Sequence, residues 1–266
     1  SGLTWKTLCE KGQIHGFVPL LYRFLSDLEP GSNDWGSVAN EFFQKMKTRS
    51  REVLKRNLLL GKELLHVYNL FQAQGIPAIA YKGPVLAEEV WEGIGFRHFE
   101  DLDFFVPDLG NSQQARDLLF ARGYVLRQEM NPAQDEHFSR TQCEYQLFNP
   151  ISQVSIDLHW ALFYDYFSFH FDHAQAWKRL KKRKILDREL LSFSPEDQLV
   201  VLCAHATKHQ WDSLSRIRDI ALVPGVFSNL DWDLVLGLAE KSSCPRMLLV
   251  GLSLAQRVFE IPLPEK

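Results

Sequence analysis

Two aspartates two residues apart open an otherwise apolar run, Asp101-Leu102-Asp103-Phe104-Phe105-Val106. On an extended strand such residues point to one side, so Asp101 and Asp103 aim together. Two carboxylates a few ångströms apart repel, and a divalent cation relieves the repulsion. Hard oxygen donors of this kind suit Mg²⁺ or Mn²⁺. A third acid, Asp157, interrupts the alternating run Val154-Ser155-Ile156-Asp157-Leu158-His159-Trp160. An ionised carboxylate there is costly unless it is paired or bound to metal. Three carboxylates on adjacent strands make a cup for one or two metal ions, the arrangement that phosphoryl transfer uses.

Taken singly, these residues have ordinary explanations. An Asp-x-Asp pair at a strand edge is commonly solvated or capping, and a mid-strand aspartate is commonly ion-paired. The segment upstream is what favours chemistry. Lys82-Gly83 closes a short apolar run, Pro77-Ala78-Ile79-Ala80-Tyr81, just before a helical stretch. Glycine lets a phosphate approach the backbone, and a helix N-terminus offers N–H groups and positive potential. Lys82 and Arg97 add two cations near the acids, completing a phosphate cradle followed by a metal cup.

Other groupings point less sharply. His205 and His209 lie four apart on a helix, a zinc-like spacing, but the intervening Ala206-Thr207-Lys208 lacks the glutamate of a metalloprotease helix. His205 or Lys208 could line a cleft and touch a triphosphate or an acceptor, with core packing or a surface pair as an equal alternative. Asp219 is a weaker candidate of the same kind. His159 shares the strand face of Asp157 and sits near the metal or is a core histidine. Lys178-Arg179-Leu180-Lys181-Lys182-Arg183-Lys184 could contact an RNA backbone or a phosphorylated substrate, but reads first as a solvated face or loop. Walker, Gly-x-Gly-x-x-Gly and Gly-x-Ser-x-Gly patterns are missing, which removes support for P-loop, Rossmann and serine-hydrolase readings.

The elements that must position these residues follow from periodicity. Residues 1–74 read as an N-terminal helical region, with Trp5 to Leu25 at helical spacing, a breaker cluster at Pro30-Gly31-Ser32-Asn33-Asp34, and a long helix from Trp35 to Gln74 ended by Gly75. Residues 75–162 read as an α/β core. Its strands are 77–81, 101–106, 124–126, 144–148 and 154–160; its helices are 85–91 and 113–122, the second capped by Asn111 or Ser112 and closed by Gly123. Residues 163–266 read as mainly helical, with a hairpin over 184–193 turning at Asp187-Arg188, a helix opened by Ser194-Pro195-Glu196-Asp197, and another opened by Asn229-Leu230-Asp231-Trp232.

Bulk properties narrow the classes. At roughly 150 residues per domain, 266 residues make one large domain or two small ones, and a 45% hydrophobic composition supports a sizeable core. Thirty basic against 33 acidic residues, formally −3, argue against a global grip on nucleic acid or anionic membrane. No apolar run approaches the roughly 20 residues of a membrane span, and no charged-then-apolar leader opens the sequence. The cysteines at 9, 143, 203 and 244 form no Cys-x-x-Cys pair; we expect a reducing, cytoplasmic setting.

The run Ile79-Ala80-Tyr81-Lys82-Gly83-Pro84-Val85-Leu86-Ala87, then Arg97, then Asp101 to Val106 resembles the uncharacterised nucleotidyltransferase family of the polymerase-β-like superfamily. The strand Ile156-Asp157-Leu158-His159-Trp160 matches where that superfamily keeps its third carboxylate. Trp5 to Leu25, with His15-Gly16 and Pro19-Leu20, is similar to the family's helical lead. Leu191 to Asp197 and His205 to Trp211 are similar to its C-terminal part. Lys82-Gly83-Pro84 departs from the superfamily's usual Gly-Ser or Gly-Gly turn, and Pro84 removes one backbone donor.

The resemblance implies an α+β fold, a polymerase-β-like nucleotidyltransferase core flanked by helical regions. It implies transfer of an NMP group from an NTP to an acceptor hydroxyl, small molecule or peptide, with pyrophosphate released. Asp101, Asp103 and Asp157 would be the catalytic and metal-holding residues, for Mg²⁺ or Mn²⁺. Lys82, Gly83, Arg97, His205 and Lys208 would contact the nucleotide. The alternatives are a transferase acting on tRNA or protein, as toxin-type relatives do, and a nucleotide-binding module that has lost the reaction.

Overall fold

Helical periodicity governs the first quarter of the chain. The computed structural model describes residues 4–28, 36–164 and 166–263; the breaker cluster Pro30–Asp34 and the expected helix start at Trp35 lie outside them. Helix α1 spans Trp5–Ile14, where the Thr4 hydroxyl accepts the Thr7 amide at 3.1 Å. Helix α2 spans Val18–Asp27 and carries Pro19 in its first turn, where no N–H is missed. Helix α3 runs without proline over Gly36–Ala73. It buries the stripe Val53, Leu60, Leu64, Val67 and Phe71. Gly75 at φ +67° lets the Ile76 amide turn back to the Phe71 carbonyl at 2.9 Å and close α3.

The core alternates as the spacing predicts. In order come β1 (Ile79–Ala80), α4 (Pro84–Val90), β2 (Asp101–Phe105), α5 (Leu109–Phe120), β3 (Val125–Leu126), α6 (Pro132–Thr141), β4 (Glu144–Asn149) and β5 (Val154–His159). The five strands form one mixed sheet in the order β1-β2-β5-β4-β3. β2 and β5 are parallel, and the other pairs are antiparallel. Leu102 and Phe104 of β2 join Ile156 and Leu158 of β5 in a fully buried cluster with Leu60, Leu64 and Phe71 of α3 and Ala115 and Leu119 of α5. Each of the leucines, isoleucines and phenylalanines among them contributes about 1.5–3 kcal/mol by leaving water. That burial fixes which face of β2 and β5 turns inward, and so sends Asp101, Asp103 and Asp157 to the other face.

The last hundred residues supply a lid of helices over that second face. They form α7 (His173–Lys178), a hairpin of β6 (Lys181–Ile185) and β7 (Arg188–Ser192), α8 (Pro195–Lys208), α9 (Leu214–Val226), α10 (Trp232–Lys241) and α11 (Pro245–Phe259). The Ser194 hydroxyl accepts the Asp197 amide at 3.2 Å and caps α8 as its sequence signals. α8 is buried along nearly its whole first three turns. It packs with Tyr81, Leu86, Phe105 and Phe193 in a second large cluster. Among the described residues no helix is long and apolar enough to cross a membrane.

Two sequence expectations shift, and one helix is new. The cap of α5 is Asp108, whose Oδ1 accepts the Asn111 amide at 2.8 Å, so the helix starts at Leu109 and Asn111 and Ser112 fall in its first turn. The hairpin begins at Lys181 and takes up the basic run: Lys182 pairs with Glu189 at 3.4 Å, and Arg183 pairs with the buried Glu89. α6 was not expected, although Asn131-Pro132 with Gln134 makes a capping box at its start.

Candidate active site

β2 and β5 run parallel in a register that sets Asp103 directly beside Asp157 and Asp101 beside Ser155. β4 adds Gln146 beside Asp157 and Glu144 beside His159. Period-2 alternation therefore gathers Asp101, Asp103, Asp157, His159, Glu144 and Gln146 on one face of three adjacent strands. This face floors a cavity of about 780 Å³, walled on the far side by His205, Lys208 and His209 of the α8 end and by Ser215, Arg216 and Asp219 of α9.

At the centre, donor atoms of Asp103, Asp157 and His159 lie within 4.8 Å of one another. Asp101 lines the same cavity but stands outside this cluster. Asp103 is the hub. Its Oδ1 accepts a 2.5 Å bond from Lys82 Nζ and lies 3.3 Å from His159 Nε2. The other ring nitrogen of His159, Nδ1, sits 2.9 Å from Glu144 Oε2.

The titration directions follow from this packing. Burial alone would raise the Asp103 pKa, but Lys82 and His159 hold it well below the usual carboxylate range. Burial opposes the charge on His159, yet Glu144 and Asp103 raise its pKa well above that of free histidine, so the ring is an imidazolium. Glu144 is drawn down to about 2, burial notwithstanding, by that imidazolium. The His159 charge also favours ionised Asp157, but among the described residues no hydrogen bond or ion pair holds that carboxylate. Burial, then the charge of Asp103, push it up to about 7. Asp101 is raised for the same two reasons.

Seven acids, Glu100, Asp101, Asp103, Glu144, Asp157, Asp212 and Asp219, line the cavity against Lys82, Arg97, Lys208, Arg216 and the His159 imidazolium, so negative charge is in excess. An oxygen-rich set with unneutralised negative charge fits a hard divalent ion.

The Lys82-Gly83 turn joins β1 to α4. Gly83 adopts φ 51°, ψ −119°, a conformation that side chains resist, and a Cβ there would lie 3.3 Å from the Asp101 carbonyl oxygen. Gly83→Ala should cost about 1–3 kcal/mol of stability in a urea melt. A neutral substitution would mean that the turn tolerates a side chain.

The remaining candidates divide. His205 lines the cavity with its ring centroid 4.5 Å from that of His209. Its pKa falls well below the free value through burial and the nearby Lys82, so it is a neutral imidazole. Among the described residues no third ligand joins the two histidines into a metal site. Lys208 reaches the cavity with its ammonium 5.0 Å over the Tyr164 ring.

Arg97 also lines the cavity, but its Nε and one terminal nitrogen are taken by Asp219 at 2.9 and 2.8 Å. Asp219 accepts a third bond from Trp91 Nε1 at 2.7 Å. This largely buried fork ties α9 to the segment between α4 and β2 beside the cavity. Asp219→Ala should cost about 3–5 kcal/mol, because it leaves a buried guanidinium unpaired. A change under 1 kcal/mol by chemical denaturation would contradict that role.

Sequence reasoning passed over Glu144, Gln146, Tyr164 and Arg216, all of which line the cavity. The polar residues at 144 and 146 of an otherwise apolar strand were a readable signal. Their face matches that of Asp157 once the strand order is known.

The model of a family described as uncharacterised nucleotidyltransferase matches residues 1–260. No curated protein matches the chain. Among solved structures, the lincomycin-bound lincosamide antibiotic adenylyltransferase LnuA is 18% identical, covers 62% of this chain and 96% of its own, and superposes with a TM-score of 0.42. The antibiotic-resistance factor ANT(2'')-Ia in solution is 14% identical over 72% of this chain and 94% of its own, with a TM-score of 0.45. An antigenic nucleotidyltransferase-like protein from Paracoccidioides brasiliensis is 16% identical over 79% and 97%, with a TM-score of 0.38.

Proposed function

Because the chain belongs to the uncharacterised nucleotidyltransferase family, matched over residues 1–260, we infer that it moves an NMP group from an NTP to the hydroxyl of a small-molecule or peptide acceptor. The observation that carries this reading is the side-by-side placement of Asp103 and Asp157, with Asp101 on the same face, in the floor of a cavity that Lys82 and Gly83 also line.

Asp101, Asp103 and Asp157 would hold Mg²⁺ or Mn²⁺. Such an ion, when bound, supplies Lewis-acid polarisation and charge neutralisation at the phosphates. The chain's own residues do the rest. Gly83 opens the backbone at the start of α4 to a phosphate. Lys82 places a cation beside that turn, and His205 and Lys208 face it across the cavity. Asp157, beside Asp103 in the cavity floor, would accept the acceptor hydroxyl's proton. The hydroxyl oxygen then bonds to the α-phosphorus, the bond to the bridging oxygen breaks, and pyrophosphate leaves.

The macromolecular alternative rested on the basic run at 178–184. None of those residues lines the cavity, and Arg179 and Arg183 are engaged by Asp197 and Glu89.

Thermal denaturation tests the reading. Mg²⁺ with an NTP, at a hundredfold excess over Kd, should stabilise the protein by about 2.7 kcal/mol and raise Tm, and Asp103→Asn should abolish most of that response. An equal response from both proteins would remove the metal cup from the account.

A further inference from the structure

The sheet lays out the chemistry in strand order. The Lys82-Gly83 turn follows β1, Asp101 and Asp103 lie on β2, Asp157 on β5, Glu144 and Gln146 on β4, and β3 forms the edge. In-line displacement puts the attacking oxygen opposite the departing pyrophosphate. With the triphosphate over the β1 and β2 side, the acceptor must enter from the β4 and β3 side. A second cavity of about 160 Å³ lies there and shares Glu144, Gln146 and Tyr164 with the first.

Its walls define what fits. Met130 and Phe138 give it an apolar surface, while Gln128, Gln142, Gln146 and Tyr164 bring neutral hydrogen-bonding groups. Its two charged residues are occupied elsewhere: Arg127 donates to Ser155 Oγ at 2.6 Å, and Glu144 sits 2.9 Å from His159. Burial keeps the Tyr164 phenol protonated, its pKa pushed up to about 12. The volume holds roughly five waters, the size of one hydroxylated six-membered ring. Amide side chains can both donate to and accept from neighbouring hydroxyls, and an apolar wall suits the C–H face of such a ring.

We propose that this cavity is the acceptor subsite and that it takes a neutral, polyhydroxylated ring of the carbohydrate type, one hydroxyl of which is presented to Asp157. The proposal rests on the nucleotidyl-transfer reading above. Helix α6 supplies Phe138, and the residue that caps its end, Gln142, supplies an amide, which assigns a role to an element that the sequence did not reveal.

The experiment uses the full chain with Mg²⁺ and the four α-³²P-labelled NTPs. The acceptor probes are methyl α-glucoside, myo-inositol and the tripeptide Gly-Ser-Gly, and NTP binding is followed by calorimetry. We expect label on a ring probe, with KM for that probe raised about tenfold in Gln142→Leu or Gln128→Leu and NTP affinity unchanged. Label on the tripeptide alone, no label on either ring with NTP binding intact, or an unchanged acceptor KM in both variants would overturn the subsite. Failure of the wild-type protein to bind any NTP with Mg²⁺ would instead overturn the underlying transfer reading.

Discussion

Asp103→Asn lowers turnover by roughly 10²–10³-fold or more at saturating NTP and Mg²⁺, since it removes a preorganised charge from the place where the reacting phosphate is stabilised. It also has a cost in the metal-free protein. Lys82 and His159 both lean on the Asp103 carboxylate at 2.5 and 3.3 Å, and stripping the partner from a buried cation costs about 3–5 kcal/mol. Because the folded pKa of Asp103 is depressed, its contribution to stability is present above the unfolded value of 3.8 and is lost as pH falls. A urea melt and a steady-state assay on one preparation check both effects. An Asp103→Asn protein with wild-type turnover would refute the assignment.

Asp157→Asn behaves oppositely in the fold and alike in the chemistry. Turnover should fall by roughly 10²–10⁴-fold with the base removed. Stability without metal should rise at high pH. The folded pKa of Asp157 is about 7 against 3.8 unfolded. The protonated form is therefore favoured in the native state, and its stabilising contribution is full below the unfolded pKa and fades as pH rises through about 7. At pH 8.5 the wild type carries a penalty of roughly 2–4 kcal/mol that the asparagine variant escapes; near pH 4 the two should converge. Urea melts across that range in chelator decide the point. A large loss of stability in Asp157→Asn at pH 8.5 would make Asp157 a structural ion-pair member instead.

This contrast between two neighbouring acids was not readable in the sequence. Alternation alone placed Asp101, Asp103 and Asp157 on common faces, because a strand's period of two is imposed by the backbone. The burial of Leu102, Phe104, Ile156 and Leu158 then left those faces no other direction. What alternation does not encode is strand order. Gln146 and Glu144 become site residues only because β4 pairs with β5, across the register that sets Gln146 beside Asp157. The engagement of Arg97 with Asp219 spans 122 positions, and no local pattern announces such a partner. Helix α6 was missed for a different reason: its face is mostly polar, so the periodic apolar signal was weak, and only the capping box at Asn131 and Gln134 marked its start.

The most direct test of the account is a crystal structure of the protein with Mn²⁺ and a non-hydrolysable NTP, with the metal located by anomalous scattering. The account predicts manganese on the carboxylates of Asp103 and Asp157, Asp101 turned to the same centre, and the phosphates over the Lys82-Gly83 turn. Nucleotide and manganese bound elsewhere, with Lys82 still paired to Asp103 and nothing between Asp103 and Asp157, would contradict it.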